Sequence, residues 1–200
     1  PYDSVFSLCR KAGGRTAAIS YSWMSELYSR APYVSDRDRV QLDAEGAIQY
    51  GMYYWDDNYP DSHVFAEGEC LRKTFDPDFM LYHTMAVDEW GHMKGADSAE
   101  YANAVAAVGH LIAARMPEWL QTGYQVVVTA DHGMNNLGIH VGTEPAQREV
   151  ALYIFSDKVE NGRFEENYIS QLNVAPMVCR LMGIPAAEGM KQELEIQLNK

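Results

Sequence analysis

Tyr124-Gln-Val-Val-Val-Thr-Ala-Asp-His-Gly133 is the stretch whose reading decides the fold. Its centre is a run of β-branched residues, which favour a pleated and largely buried strand. The run stops abruptly at Asp131 and His132, and two polar side chains ending a buried strand are costly unless they find partners. Upstream, Phe79-Met-Leu-Tyr-His-Thr-Met85 repeats the pattern and delivers Asp88-Glu-Trp-Gly-His92. A third imidazole, His140, follows in Gly138-Ile-His-Val-Gly142. Carboxylates and imidazoles gathered at the carboxyl ends of buried strands are the donor set of metal-assisted phosphoryl chemistry. In open α/β sheets, that edge is where ligands bind.

Working outward, helical and strand-like segments alternate. Asp3 to Ala12 reads as a helix, capped by Asp3 or Ser4 and stopped at Gly13-Gly14. Thr16 to Tyr21 reads as a short strand. From Ser22 to Pro60 aromatics and charges follow without a period, which predicts a long excursion forming a pocket wall or a lid. Asp61-Ser62 can cap a helix running to about Lys73. The clearest helix runs from about Ser98 to Thr122, with Ala102, Val105, Ala106, Val108, Leu111 and Ile112 as its apolar stripe. Pro117 predicts a kink or break near Met116. Val150 to Phe155 reads as a further strand, and a last helix spans about Ile169 to Met182. Residues 188 to 200 predict a polar terminal helix or a frayed tail. The alternation points to an α/β fold with a largely parallel sheet flanked by helices, in a single domain over residues 1–200.

Composition narrows the functional classes. A formal net charge of −12 argues against a nucleic-acid polymer held by a basic surface. It leaves room for a small phosphorylated substrate, because metal ions can supply local positive charge. Cys9, Cys70 and Cys179 are few, odd in number and widely spaced. They read as buried thiols rather than a disulfide framework or a zinc cluster, which suggests a reducing compartment, and the expected localisation is cytoplasmic. No apolar run reaches membrane-spanning length, so no membrane partner is expected. Nothing in the sequence indicates an oligomeric state.

Taken singly, each motif has a plainer account. Asp88 could cap a helix with His92 on its surface, Asp131-His132-Gly133 could be a β-turn, and His140 could be an exposed loop residue. Together the three pieces favour a metal site. His83 reads as a hydrogen-bonded core histidine close enough to support that site, His110 as structural and His63 as solvated. The aromatic group Tyr50, Tyr53, Tyr54, Trp55 and Tyr59 could stack on a nucleobase or aryl group, but packing is the better account.

Asp88-x-x-Gly-His92, Thr129-Ala-Asp-His-Gly133 and His140 together resemble the alkaline phosphatase superfamily, and most of all its type I phosphodiesterase/nucleotide pyrophosphatase branch. Pro77-Asp78-Phe79 before the first motif fits the same pattern, as does Asn173-Val-Ala-Pro176 leading to Leu181-Met-Gly-Ile-Pro185. The resemblance implies an alkaline-phosphatase-like core and two divalent metal ions, usually zinc and sometimes manganese. Carried onto this chain, Asp88, His92 and His140 would hold one ion, and Asp131 and His132 would contribute to the other. In the family the second ion also takes an Asp from the end of the first strand, beside a Ser or Thr nucleophile at a helix N-terminus. Neither motif occurs here, and Ser4 to Gly13 resembles the helix after them. The implied reading is the carboxyl-terminal portion of a longer catalytic domain, with the catalytic nucleophile unassigned.

The activity implied is hydrolysis of phosphodiester or pyrophosphate bonds in a small phosphorylated substrate such as a nucleotide. A phosphomonoesterase, phosphonate hydrolase, phosphomutase or sulfatase of the same superfamily would share these ligands. A non-catalytic metal-binding fragment is the alternative from a different class.

Overall fold

The computed structural model describes residues 3–162, 168–191, 193 and 194. In chain order the elements are α1 (Val5–Lys11), β1 (Thr16–Tyr21), α2 (Trp23–Tyr28), α3 (Ser35–Asp38), β2 (Val40–Gln41), β3 (Tyr50–Tyr54) and α4 (Asp61–Phe75). They continue with β4 (Phe79–Tyr82), α5 (Ala86–Lys94), α6 (Ala99–Gln121), β5 (Val126–Thr129), α7 (Pro145–Arg148), β6 (Leu152–Phe155) and α8 (Val174–Leu181). The expected start of α1 is present: Ser4 accepts from the Ser7 N–H while its own N–H donates to Ser7 Oγ, a reciprocal cap.

The fold is mixed α/β with a mostly parallel sheet flanked by helices. β1 lies between β3 and β4, parallel to both, and the two-residue β2 runs antiparallel along β3, giving the order β2-β3-β1-β4. Successive strand residues face opposite sides, and the core divides accordingly. Ala18 packs with Phe6 of α1, Met24 of α2, Ile48 and Tyr53, whereas Ile19 packs with Tyr54 and Val64 of α4. β5 and β6 form an antiparallel pair of their own, and no described strand joins the two sheets.

Several expectations are revised by this arrangement. The stretch from 22 to 60 supplies the interior strand β3, with Tyr53 and Tyr54 fully buried, so these two rings belong to the core. β6 forms where a strand was predicted but runs antiparallel to its neighbour, because periodicity carries no information on direction. The predicted stripe of α6 is only partly covered: Ala102, Val105 and Ala106 are exposed and Val108, Leu111 and Ile112 half-buried, while Ala104 and Trp119 are buried. The helix meets α4 and α5 rather than a broad sheet face. It continues as one helix through Pro117. The last helix is shorter than predicted, a 3₁₀ turn at Gln171–Asn173 followed by α8. Much of the 188–200 terminus lies outside the described residues, and the described part, 188–191 with 193 and 194, contains no helix. Cys9 and Cys179 are buried as expected, but Cys70 is exposed. No described helix is long and apolar enough to cross a membrane.

One buried charge anchors the segment between β1 and β3. Asp38 is fully buried and accepts from the Arg37 guanidinium at 2.8 and 2.6 Å, from Arg30 at 3.2 Å and from the Val34 N–H at 2.8 Å. Chiefly the Arg37 hydrogen bonds hold its pKa down to about 2, against an ordinary value of 3.8. A depressed folded-state pKa stabilises above the unfolded value and loses that contribution as pH falls through the folded one. Acid unfolding followed by circular dichroism should therefore show an Asp38-dependent loss of stability between pH 3.8 and about 2. Asp38→Asn should flatten that limb, and an unchanged limb would exclude this origin.

Candidate metal centre

The chain leaves β4 at Tyr82, crosses a short turn and enters α5 at Ala86. Asp88 and His92 are four residues apart on this helix, one turn, and so share a face. Their side chains approach with His92 Nε2 3.4 Å from Asp88 Oδ2. β5 ends at Thr129, and the following turn brings His132 Nε2 to 3.9 Å from Asp88 Oδ1 and 3.7 Å from Asp131 Oδ2. His140, on the loop before α7, places Nε2 4.0 Å from the same Asp88 Oδ1. Its ring stacks on His132 at 3.9 Å between centroids and meets His92 edge-on at 5.0 Å. All five predicted residues are thus brought to one edge, with Asp88 between the three imidazoles and Asp131 more exposed on the outer side.

The donor set fits a cation. Asp88, His92 and His140 each offer an atom within 4.8 Å of the others. Asp88 Oδ1 is buried without a hydrogen-bond partner among the described residues. A buried carboxylate oxygen left unpaired is expensive, and a metal ion among imidazoles would satisfy it. His92 Nδ1 lies 2.8 Å from the Gly138 carbonyl and His132 Nδ1 3.0 Å from the Gly133 carbonyl. A carbonyl can only accept, so these contacts put the protons on Nδ1 and leave the Nε2 lone pairs for an ion. A nitrogen and oxygen set without thiolate suits zinc or manganese better than the all-oxygen cages of calcium.

Two glycines let the backbone come this close. Gly138 has φ +72°, and a Cβ there would meet the His92 carbonyl oxygen at 2.7 Å. A Cβ on Gly133 would meet the Ala146 carbonyl oxygen at 2.1 Å. The third residue of the Asp-His-Gly motif is therefore dictated by the segment crossing behind it.

Three supporting side chains were not evident from sequence. Gln147 is buried and donates to the carbonyls of Ile139 at 3.2 Å and Val141 at 3.4 Å, gripping His140 from both sides. Asn135 Oδ1 accepts from the N–H groups of Leu137 and Ile139, closing the turn before His140. Gln171 donates to the carbonyls of Ala130 and Asp131, pinning the other turn. A lone Gln or Asn in a polar loop carries no sequence signal, since its partners are set by tertiary structure. Gln147→Leu should cut metal affinity about 10–100-fold, as loss of an orienting partner does, while leaving the far-ultraviolet circular dichroism spectrum intact. Unchanged affinity by metal titration would show that His140 needs no such grip.

The remaining histidines stand apart. His83 closes β4 with its N–H on the Ile19 carbonyl, and Trp23 meets its ring at 5.2 Å. Its Nδ1 is buried without a partner among the described residues, so the expected hydrogen-bonded core histidine is only half realised. Burial pushes its pKa down, against the nearby charges of Asp131 and Asp88. His110 on α6 and His63 on α4 are exposed.

Over 161 residues the chain is 27% identical to the catalytic subunit of GPI ethanolamine phosphate transferase 3 of Mus musculus, covering 76% of this chain and 15% of that protein. GPI ethanolamine phosphate transferase 2 of Schizosaccharomyces pombe is 26% identical over 132 residues, covering 56% of this chain and 17% of the relative. The chain therefore spans less than a fifth of these relatives' length. A solved murine ectonucleotide pyrophosphatase/phosphodiesterase 5, an inactive form in complex with AMP, superposes with a TM-score of 0.45 and 18% identity, covering 65% of this chain and 32% of that one. The profile described as type I phosphodiesterase/nucleotide pyrophosphatase matches residues 5–161. Residues 88, 92, 131, 132 and 140, read above as a site from their chemistry, all fall within that match, and the chain belongs to the type I phosphodiesterase/nucleotide pyrophosphatase family.

Proposed function

We propose that this edge belongs to a metal-dependent enzyme that hydrolyses phosphodiester or pyrophosphate bonds in small phosphorylated substrates such as nucleotides. The observation that carries the reading is the unpaired, buried Asp88 Oδ1 facing three imidazoles whose orientation is fixed or stacked. Asp88, His92 and His140 would hold one ion, zinc ahead of manganese, and Asp131 and His132 would contribute to a second. Bound metal would supply positive charge to a phosphoryl oxygen and make a hydroxyl or water a better nucleophile at neutral pH. The protein's part is to fix the donors: the Gly138 and Gly133 carbonyls hold two rings by Nδ1, and Gln147 holds the loop of the third. Asp131, two-thirds exposed, stays open toward whatever approaches the edge.

The relatives' names favour a second reading, transfer of the phosphoryl-bearing group to an alcohol rather than to water. The same donors serve both outcomes, since only the acceptor differs.

Equilibrium dialysis of the chelator-stripped chain tests the metal assignment. A three-ligand site with an open position holds zinc, whereas two ligands hold it poorly. About one tightly bound ion per chain is therefore expected, with His92→Ala and His140→Ala each losing it while the fold persists. Unchanged stoichiometry in both variants would exclude these ligands. For the reaction, incubating the natural protein with an aryl phosphodiester, with and without an added amino alcohol, separates hydrolysis from transfer by the products. Chelator-insensitive turnover would overturn metal dependence.

A further inference from the structure

We infer that Asp61, which is not among the metal donors, is a positioning residue for the metal centre: its carboxylate caps, from another helix, the helix that carries Asp88 and His92. This role rests on the metal reading of that centre.

The sequence predicts Asp61 as the cap of its own helix. In the structure Asp61 is instead the first residue of α4, and Pro60 stands in the capping position. The helix in need of a cap is α5. Met85 occupies its capping position with an apolar side chain and makes no side-chain cap. The first N–H groups of a helix have no partner within it. Here Asp61 Oδ1 accepts from the Ala86 N–H at 3.5 Å, and the same carboxylate accepts from the Met85 N–H. One acid thus sits at the start of two helices, where their partial positive charge gathers.

The turn leading into α5 is fastened as well. The His83 N–H donates to the Ile19 carbonyl at 3.0 Å, and the His83 carbonyl accepts from the Tyr54 hydroxyl at 2.6 Å. The Met85 side chain packs against the cluster of Ile19, Tyr54 and Val64. Residues 83 to 86 are therefore tied to β1, β3 and α4, and Asp88 follows two residues later. The other end of α5 is held differently, by the Ala96 N–H on the Asn135 carbonyl and by His92 Nδ1 against the Gly138 carbonyl. Asp61 secures the end from which Asp88 projects. Asp88 Oδ1 lies 3.9 Å from one imidazole nitrogen and 4.0 Å from another. Donor sets of this kind tolerate displacements of only about 0.5 Å, so a first turn free to swing would disperse them.

The arrangement is a costly one for a cap. Asp61 is 8% exposed, and burial pushes its pKa up against the two N–H groups that favour its charge. A Ser, Thr or Asn would cap without burying a charge. Asp61 and Ala86 also line an open crevice with Trp90 and Ala104. Water can therefore take over the N–H groups when the carboxylate is removed, leaving α5 hydrogen-bonded but no longer aimed.

Competition with a chromophoric chelator on the natural protein tests this role. Asp61→Ala should lower zinc affinity about 10–100-fold, the range for loss of an orienting partner. Asp61→Asn, whose amide oxygen still accepts, should recover most of it. Hydrogen–deuterium exchange on the metal-free variants reads the cap itself: the Met85 and Ala86 amides should exchange faster in Asp61→Ala than in wild type. Faster exchange with unchanged zinc affinity would make Asp61 a cap alone and overturn the positioning role. Equal losses in the Ala and Asn variants would overturn it too, because the hold on the N–H groups survives in Asn. Should Asp61→Ala not fold, Asp61→Glu, which shifts the carboxylate by one methylene, is expected to weaken zinc in its place, and wild-type affinity there would count against the role. Wild type that binds no zinc, or binds it undiminished in Asp88→Asn, would instead bring down the metal reading and this role with it.

Discussion

Asp88→Asn is expected to lower zinc affinity by more than about 100-fold, because orienting partners alone are worth 10–100-fold and Asp88 is the carboxylate shared by the whole cluster. The three imidazole Nε2 atoms lie 3.4 to 4.0 Å from its two oxygens, so no other residue could take its place without rebuilding the edge. The change is isosteric, and Oδ1 has no hydrogen bond to lose among the described residues. Thermal unfolding of the metal-free protein should therefore be little altered, which separates a ligand from a packing residue. The measurement is competition with a chromophoric chelator. Affinity within threefold of wild type would remove Asp88 from the site and with it the proposed first ion.

The second large effect lies far from the chemistry. Glu69 on α4 accepts from Arg72 at 2.8 to 3.1 Å, from the Trp119 indole at 2.7 Å and from the Tyr82 hydroxyl at 2.9 Å. It ties α4, β4 and α6 together at one carboxylate. Both it and Arg72 are largely buried. Burial alone would raise the Glu69 pKa, but the hydrogen bonds from Arg72, Trp119 and Tyr82 outweigh it and bring it below its ordinary value. Glu69→Ala leaves a buried guanidinium with the half-exposed Glu118 as its one remaining carboxylate among the described residues, and strands two further donors. Breaking a buried pair from one side costs about 3–5 kcal/mol, a large part of the about 5–15 kcal/mol that holds a domain together. Urea denaturation should show that loss, with Glu69→Gln milder because an amide oxygen can still accept. A shift below about 1 kcal/mol would mean the network breaks even against water.

The sequence disclosed the parts of this molecule that obey short-range rules. Ser4 caps α1 and Gly13 adopts positive φ just beyond its end, as their positions predicted, and Ser98 and Gly123 do the same for α6 by the same short-range rules. That Asp88, His92, Asp131, His132 and His140 gather at one edge was legible because carboxylate and imidazole at strand ends contradict the apolar pattern leading up to them. β3 was not, because Tyr-Gly-Met-Tyr-Tyr is too aromatic for an alternation to show, and both faces of that strand are covered. The direction of β6 and the grip of Gln147 were illegible for another reason: both are set by partners distant in the chain. The apolar stripe of α6 misled in the opposite sense. Periodicity marks the face a helix can bury, while Val105 and its neighbours show that the described residues cover only part of it.

The meeting of residues that follow β4 and β5 at Asp88 has a mechanical consequence. Asp88 and His92 follow β4, and His132 and His140 follow β5, so the donors sit on opposite sides of a seam that no ladder crosses among the described residues. On the proposed reading an ion there is a clasp as well as a reagent. At a free concentration 100 times its dissociation constant it would add about 2.7 kcal/mol to the folded state. The rigidity of this edge would then follow the local supply of metal, and starvation would first be felt as a seam working loose rather than as an idle active site.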